Sequence, residues 1–376
     1  MRVHTEEFIK LLNYFIMENS SAWYTLSYFN GVWKDIYEWK NVAREKLKEI
    51  LLPRLPIRFS NPSIDEVSKR NNLVVEKISY ELPYGSRVEG YFMYPSNNVG
   101  KLPGVLALHC HGGFKYFGKE KIVEIDGEPR ILRSFKDRLY DGRSWATELA
   151  RRGFAVLVVD VFLFGSRRIA VRNLAVEANV GIDDEIKKYN EVSYRLENFG
   201  AKALLLAGLS IAGIVAYEDL VALEYLINRP EVDPGKIGVC GTSFGGTRGI
   251  LLSALDDRVK CSIVAAAVTT IDEIIREGIE HTWALYIPEM VKYFDIPDII
   301  SLHVPQPLLI QYCKQDPIFP YEGQLKTHEK LAKIYRISGY EQNYKGVFYD
   351  KPHVFDLEMQ EEAFEWLSKC LGNKNS

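Results

Sequence analysis

The chain has 376 residues, 47 basic against 50 acidic, for a formal charge of −3. That length suits one large α/β domain with an added piece, or two modest domains. Its 47% hydrophobic and 26% charged content is that of an ordinary globular chain. With no basic block, acidic tail or apolar leader, the expectation is a cytoplasmic protein with no nucleic-acid and no membrane partner.

Residues 1–60 read as a helical segment. VAREKLKEILL (42–52) carries apolar residues at helical spacing and stops at Pro53. The aromatic stripe before it runs from Trp23 and Tyr24 through Tyr28, Phe29, Trp33 and Tyr37 to Trp39. Such stripes usually pack onto a main domain; a roof over a pocket or a homo-oligomer contact is the sharper alternative. LPRLPIRFSNPS (52–63) reads as a Pro-rich linker, and residues 61–376 as the catalytic domain. There the pattern turns to strands. LVVEKISYEL (73–82) and VEGYFMYP (88–95) alternate around a PYGS turn, a β-hairpin. GVLALHC (104–110), FAVLVVDVF (154–162), KIGVCG (236–241), CSIVAAAVTT (261–270) and PLLIQYC (307–313) are apolar runs of the kind buried in a parallel sheet. A short strand at 346–349 follows. Helices are expected at 145–152, over Ala201–Asn228 as one long element, at 244–253, at 327–337 and at 358–371. The most apolar stretch, Ala203–Tyr217, is too short to span a bilayer and contains Ser210, so it reads as core helix. The fold class is α/β: a mostly parallel twisted sheet with an antiparallel N-terminal hairpin and helices on both faces. Two long connections, 115–142 and 271–304, are candidate functional loops, the second a lid-like insertion.

The five cysteines, Cys110, Cys240, Cys261, Cys313 and Cys370, are odd in number and include no CxxC pair. Free thiols fit better than disulfides or a zinc site.

The strongest chemical signal is Gly241-Thr242-Ser243-Phe244-Gly245, a G-x-S-x-G between a predicted strand and a predicted helix. A sharp strand-to-helix turn lifts the Ser243 hydroxyl out of the backbone, and the helix start offers N–H groups to a developing oxyanion. His109-Cys110-His111-Gly112-Gly113-Phe114, at a strand end, has the form of an HGG-type oxyanion loop. Phe244 is expected to donate one oxyanion N–H, and Gly113 or Phe114 the other. Of seven histidines, His353 in KPHVF follows the last strand and precedes the last helix, where a general base belongs. Asp316 ends PLLIQYCKQD and is the expected orienting acid; Asp350 lies too close in sequence to His353. The order Ser243, Asp316, His353 is that of the α/β-hydrolases. His111, Gly112 and Trp283 are candidate substrate contacts, with Lys115, Tyr116 and His281 behind them. Asp160 and Arg248 read as structural braces. His109 and His111 lack further ligands for a metal.

From about residue 70 to 370 the chain resembles the dienelactone-hydrolase-related, acetyl-xylan-esterase-like branch of the α/β-hydrolase superfamily. The resemblance is carried by HGGFKYFGKEK (111–121), DGRSWATELARRGFAVLVVDVFLFGSRR (141–168), GTSFGGTRG (241–249), YFDIPDI (293–299), QPLLIQYCKQDPIFP (306–320) and KPHVF (351–355). It implies a serine esterase acting on a small soluble ester through an acyl-enzyme, with no metal or organic cofactor. Dienelactone hydrolases proper carry cysteine at the position of Ser243, which points away from their substrates. Two alternatives stand beside this reading. One is a prolyl-oligopeptidase-like peptidase, which needs a large propeller that sixty helical residues cannot form. The other is a non-catalytic ligand-binding protein on the same fold.

Overall fold

A computed structural model describes residues 7, 10, 11, 14, 23–171, 181–280 and 282–372. His281 therefore lies outside the described residues. Nine strands form one sheet: β1 (Ser60–Arg70), β2 (Leu73–Glu81), β3 (Arg87–Pro95), β4 (Leu102–Leu108), β5 (Ala155–Val159), β6 (Val232–Thr242), β7 (Val259–Ala265), β8 (Leu308–Cys313) and β9 (Tyr344–Tyr349). The order is β1-β2-β3-β5-β4-β6-β7-β8-β9. β1 to β3 pair antiparallel and β3 pairs antiparallel with β5; from β5 to β9 every pairing is parallel. This is the α/β-hydrolase arrangement expected from the sequence.

Every residue of β4, β5 and β8 is buried, which is why these strands read as unbroken apolar runs. Successive residues of β4 feed opposite faces. Leu106 and Leu108 join a core with Trp39, Tyr217 and Leu252. Val105 and Ala107 join another with Trp145, Phe154 and Phe364.

Three sequence expectations change. First, the supposed linker ends early, because β1 begins at Ser60. Its residues, SNPSIDEVSKR, are mostly exposed on the sheet edge, so the strand has no apolar alternation to reveal it. Second, the single helix over Ala201–Asn228 is two, Ile182–Leu206 and Ile211–Ile227, meeting at 91°. Gly208 takes a left-handed φ of 70°, and the Ser210 hydroxyl caps the second helix by accepting from the Gly213 N–H at 3.0 Å. Leu205 and Leu206 are consequently exposed rather than core. No single helix among the described residues is long and apolar enough to cross a membrane. Third, β7 stops at Ala265, and Ala266 turns the chain with a φ of 46°.

The described part of the N-terminal segment packs on the main domain. The amides of Tyr24, Thr25 and Leu26 donate to the carbonyls of Val291, Lys292 and Tyr293 at 3.0–3.1 Å. The helix Ile36–Leu51 is capped by Asp35 and buries Trp39 completely. Arg44 on this helix donates to the Ala254 carbonyl at 2.7 Å and pairs with Asp257. These contacts lie at the far end of the helix Phe244–Leu255 from Ser243. The insertion 271–304 holds the helices Ile271–Glu277, Met290–Tyr293 and Ile296–Ser301.

Candidate active site

Ser243 stands between β6 and the helix Phe244–Leu255, with φ 56° and ψ −127°. A non-glycine residue holds such a conformation only when its surroundings enforce it. Here they do. The Ser243 N–H donates to the Ala265 carbonyl at 2.9 Å, and its carbonyl accepts from the Thr247 N–H at 2.9 Å. The flanking glycines are required sterically. A Cβ on Gly241 would strike the Gly245 carbonyl, and a Cβ on Gly245 would strike the Leu108 carbonyl. The turn can be this tight only because neither residue has a side chain. The Ser243 hydroxyl is buried and has no hydrogen-bond partner among the described residues.

His353 lies in the loop between β9 and the final helix Leu357–Leu371, and Asp316 in the loop after β8. Thirty-seven residues apart in sequence, they meet: His353 Nδ1 is 2.6 Å from Asp316 Oδ2. The other carboxylate oxygen accepts from the N–H groups of Ile318 (2.8 Å) and Phe319 (3.2 Å). The Asp316 side chain is fully buried while that of His353 is 15% exposed, and the Phe319 ring stacks on the imidazole at 5.9 Å. With Asp316 receiving Nδ1–H, Nε2 is the nitrogen left to accept a proton. Ser243 and His353 line the same cavity, of about 390 Å³. Its other walls are mostly apolar: Leu139, Ile318, Val354 and Phe355, with Cys110 and Gly112 beside the serine.

The loop after β4 holds both amides expected to donate to the oxyanion in internal hydrogen bonds. The Gly113 N–H donates to His111 Nδ1 at 3.1 Å, and the Phe114 N–H to the His111 carbonyl at 3.1 Å. Both amides chosen from the sequence are already engaged, which leaves the backbone at His111–Gly112 beside the cavity. The Gly112 amide makes no hydrogen bond among the described residues. Gly112 takes a left-handed φ of 61°, and a Cβ there would collide with the Phe135 ring. His111 is not a cavity side chain. Its Nε2 lies 3.1 Å from Glu197, which also pairs with Lys115 at 2.5 Å. Burial lowers the pKa of this imidazole. The neutral tautomer with Nε2–H donating and Nδ1 accepting fits both neighbours.

Sequence reasoning missed Lys121. It is fully buried, and its ammonium donates to the carbonyls of Cys110 (2.5 Å), His111 (3.3 Å) and Phe114 (3.3 Å). The ammonium also sits 4.6 Å above the Phe164 ring. Phe164 in turn stacks on Phe244 at 5.4 Å. A lysine eight residues after Gly113 carries no sequence signal of this role.

The remaining candidates are elsewhere. Trp283 donates to Asn198 Oδ1 at 2.6 Å and lines a separate 240 Å³ cavity with Tyr194 and Tyr286. Tyr116 donates to Glu185 at 3.0 Å. Asp160 braces loops, as read from the sequence: it accepts from the Lys119 N–H and ammonium and from the Ser166 N–H at 2.6–2.8 Å. Arg248 makes a two-pronged, fully buried pair with Asp219 at 2.7 and 2.9 Å. Among the described residues no three His, Cys, Asp or Glu side chains converge as metal ligands.

Comparison with known proteins agrees with this fold. "Putative hydrolase YtaP" of Bacillus subtilis (strain 168) is 28% identical over 320 residues, covering 85% of this chain and 94% of its own. Among solved structures, a Bacteroides fragilis NCTC 9343 protein described as a "putative acetyl xylan esterase" superposes with a TM-score of 0.62. It is 20% identical, over 84% of this chain and 75% of its own. A glucuronoyl esterase from Solibacter usitatus gives 0.59 at 13% identity, over 90% and 94%. The model of the Abhydrolase family matches residues 28–372, which extends the likeness into the N-terminal segment, where the motifs had none to offer. This chain belongs to the Abhydrolase family.

Proposed function

We propose that the protein is a serine esterase that cleaves small carboxylic esters through an acyl-enzyme on Ser243. The observation that carries this reading is one cavity holding a serine on a strained strand-to-helix turn and a histidine already bonded to a buried carboxylate. His353 removes the proton as Ser243 attacks the ester carbonyl, and Asp316 fixes the tautomer and steadies the imidazolium. The Phe244 N–H, one of the unpaired amides at the helix start, and a backbone N–H from His111–Gly112 receive the oxyanion. His353 then protonates the leaving alcohol and later activates water. The apolar walls and the volume of about 390 Å³ favour a short acyl or alcohol group. The likeness to proteins named as esterases supports the reaction class without fixing the ester.

The test is a series of p-nitrophenyl esters, acetate through decanoate, on wild type and Ser243→Ala. Turnover of the short esters by wild type, lost in the variant, is expected. A folded wild type inert on every ester would overturn the reading.

Lys121 is a positioning residue in this mechanism. Burial pulls its ammonium down to about 8, and only the charged form has three N–H bonds for three carbonyls. Between about pH 8 and the ordinary lysine value the unfolded chain binds more protons, so this group raises folding stability with pH. The hold on the loop weakens over the same range. The expected result is a kcat that bends downward above about pH 8 without a matching loss of thermal stability. Lys121→Met leaves the Cys110 carbonyl with His109 Nδ1 and the His111 carbonyl with the Phe114 N–H, strands the Phe114 carbonyl at a cost of about 1–3 kcal/mol, and should lower kcat more than it raises KM. Wild-type kcat in Lys121→Met would remove the residue from the mechanism.

A further inference from the structure

We propose that the ester substrate carries a carboxylate, and that Arg138 is the residue that selects it. The inference rests on the esterase reading for its kinetic arm. The cavity at Ser243 has apolar walls, and among the residues lining it only Arg138 and His353 bear ionisable nitrogen. A second cavity of about 360 Å³ shares Gly112 and Arg138 with the first, so the two adjoin and Arg138 belongs to the wall of both. Three other cations around these cavities or on the same helix have carboxylate partners. Arg133 and Lys136 pair with Glu128, and Lys187, in the second cavity, lies 3.8 Å from Asp184. Arg138 makes no ion pair or hydrogen bond among the described residues. Its one neighbour of note is the Phe135 ring, 5.7 Å from the guanidinium carbon. Glu191 also lines the second cavity, so a ligand anion is better served on the Ser243 side of Arg138 than deep among the second cavity's residues.

Leu139 and Tyr140, which follow Arg138 on the helix Arg130–Tyr140, wall the nucleophile's cavity. The side chain is thus delivered to the rim by an element that also shapes the pocket. A guanidinium there offers a planar pair of N–H donors to a carboxylate several atoms from the scissile carbonyl. The carboxylate can belong to the acyl half, as in a monoester of a dicarboxylic acid, or to the alcohol half, as in an acylated hydroxy acid.

Matched esters separate these sources. Mono-(4-nitrophenyl) glutarate is compared with 4-nitrophenyl valerate, and 4-acetoxybenzoate with phenyl acetate, in wild type, Arg138→Gln and Arg138→Lys. Arg138→Gln should lower kcat/KM about tenfold more on one anionic ester than on its neutral partner, as the loss of one exposed charge-assisted contact implies. Arg138→Lys should restore part of the difference, and high salt should shrink it. The pair that responds identifies the charged half. Equal changes on both members of both pairs overturn the proposal, while hydrolysis of the neutral esters that depends on Ser243 leaves the esterase reading intact. A binding arm is independent of turnover. Calorimetry of glutarate and of 4-hydroxybenzoate on Ser243→Ala should show binding of one of them that is weakened about tenfold by adding Arg138→Gln. Binding of neither, or binding indifferent to Arg138, overturns the proposal even if no ester is hydrolysed.

Discussion

Asp316→Asn is expected to lower kcat on a short ester by on the order of 10⁴-fold, with the far-UV spectrum and thermal midpoint nearly unchanged. The reason is the bonding of the two carboxylate oxygens. One accepts from the Ile318 and Phe319 N–H groups, and the other faces His353 Nδ1. An asparagine must keep its carbonyl on the two amides, because its NH₂ would set donors against donors there. The NH₂ then faces Nδ1, which has to become the acceptor, and the proton moves to Nε2. That histidine cannot take the Ser243 proton. Steady-state kinetics on p-nitrophenyl acetate measures the effect. A loss of only a few-fold would show that Asp316 is a structural carboxylate, with another group orienting the base.

Asp219→Ala is expected to be the most destabilising single change away from the cavity, at about 3–5 kcal/mol in a urea titration. Arg248 follows Ser243 by five residues, and both partners of its pair with Asp219 are fully buried. Burial raises the Asp219 pKa and the guanidinium opposes that shift. Removing the carboxylate leaves a buried cation whose remaining contact of note is the His109 carbonyl at 3.3 Å. The pair joins the helix behind Ser243 to the helix Ile211–Ile227, so the loss falls on the element that carries the nucleophile. Replacing both partners with apolar residues, Asp219→Leu with Arg248→Met, should recover most of the loss, since the pair itself contributes little beyond its own desolvation. A single variant as stable as wild type would mean that water reaches the arginine.

What could be read in advance followed from short-range constraints. The buried strands announced themselves as apolar runs, and the Gly241–Gly245 pentapeptide marked its turn because only glycine fits there. His353 and Asp316 were placed by their positions after strands β9 and β8. Elements whose form depends on distant packing were not legible. β1 is polar because it forms the exposed sheet edge. The break at Gly208–Ser210 lay inside an apolar run, and hydropathy overrode the glycine and the capping serine. The choice between Gly112, Gly113 and Phe114 as amide donor turned on the tautomer and partners of His111, which depend on Glu197, 86 residues away. Trp283 was drawn to the site by its place in the 271–304 insertion, yet its indole is committed to Asn198.

The role of Ser243 as nucleophile is tested most directly by covalent labelling with a fluorophosphonate, followed by peptide mass spectrometry and residual ester hydrolysis on the same samples. One adduct per chain on Ser243 is expected, with hydrolysis falling in proportion to labelling and no adduct in Ser243→Ala. An adduct on another residue, or full hydrolysis in a completely labelled protein, would contradict the claim.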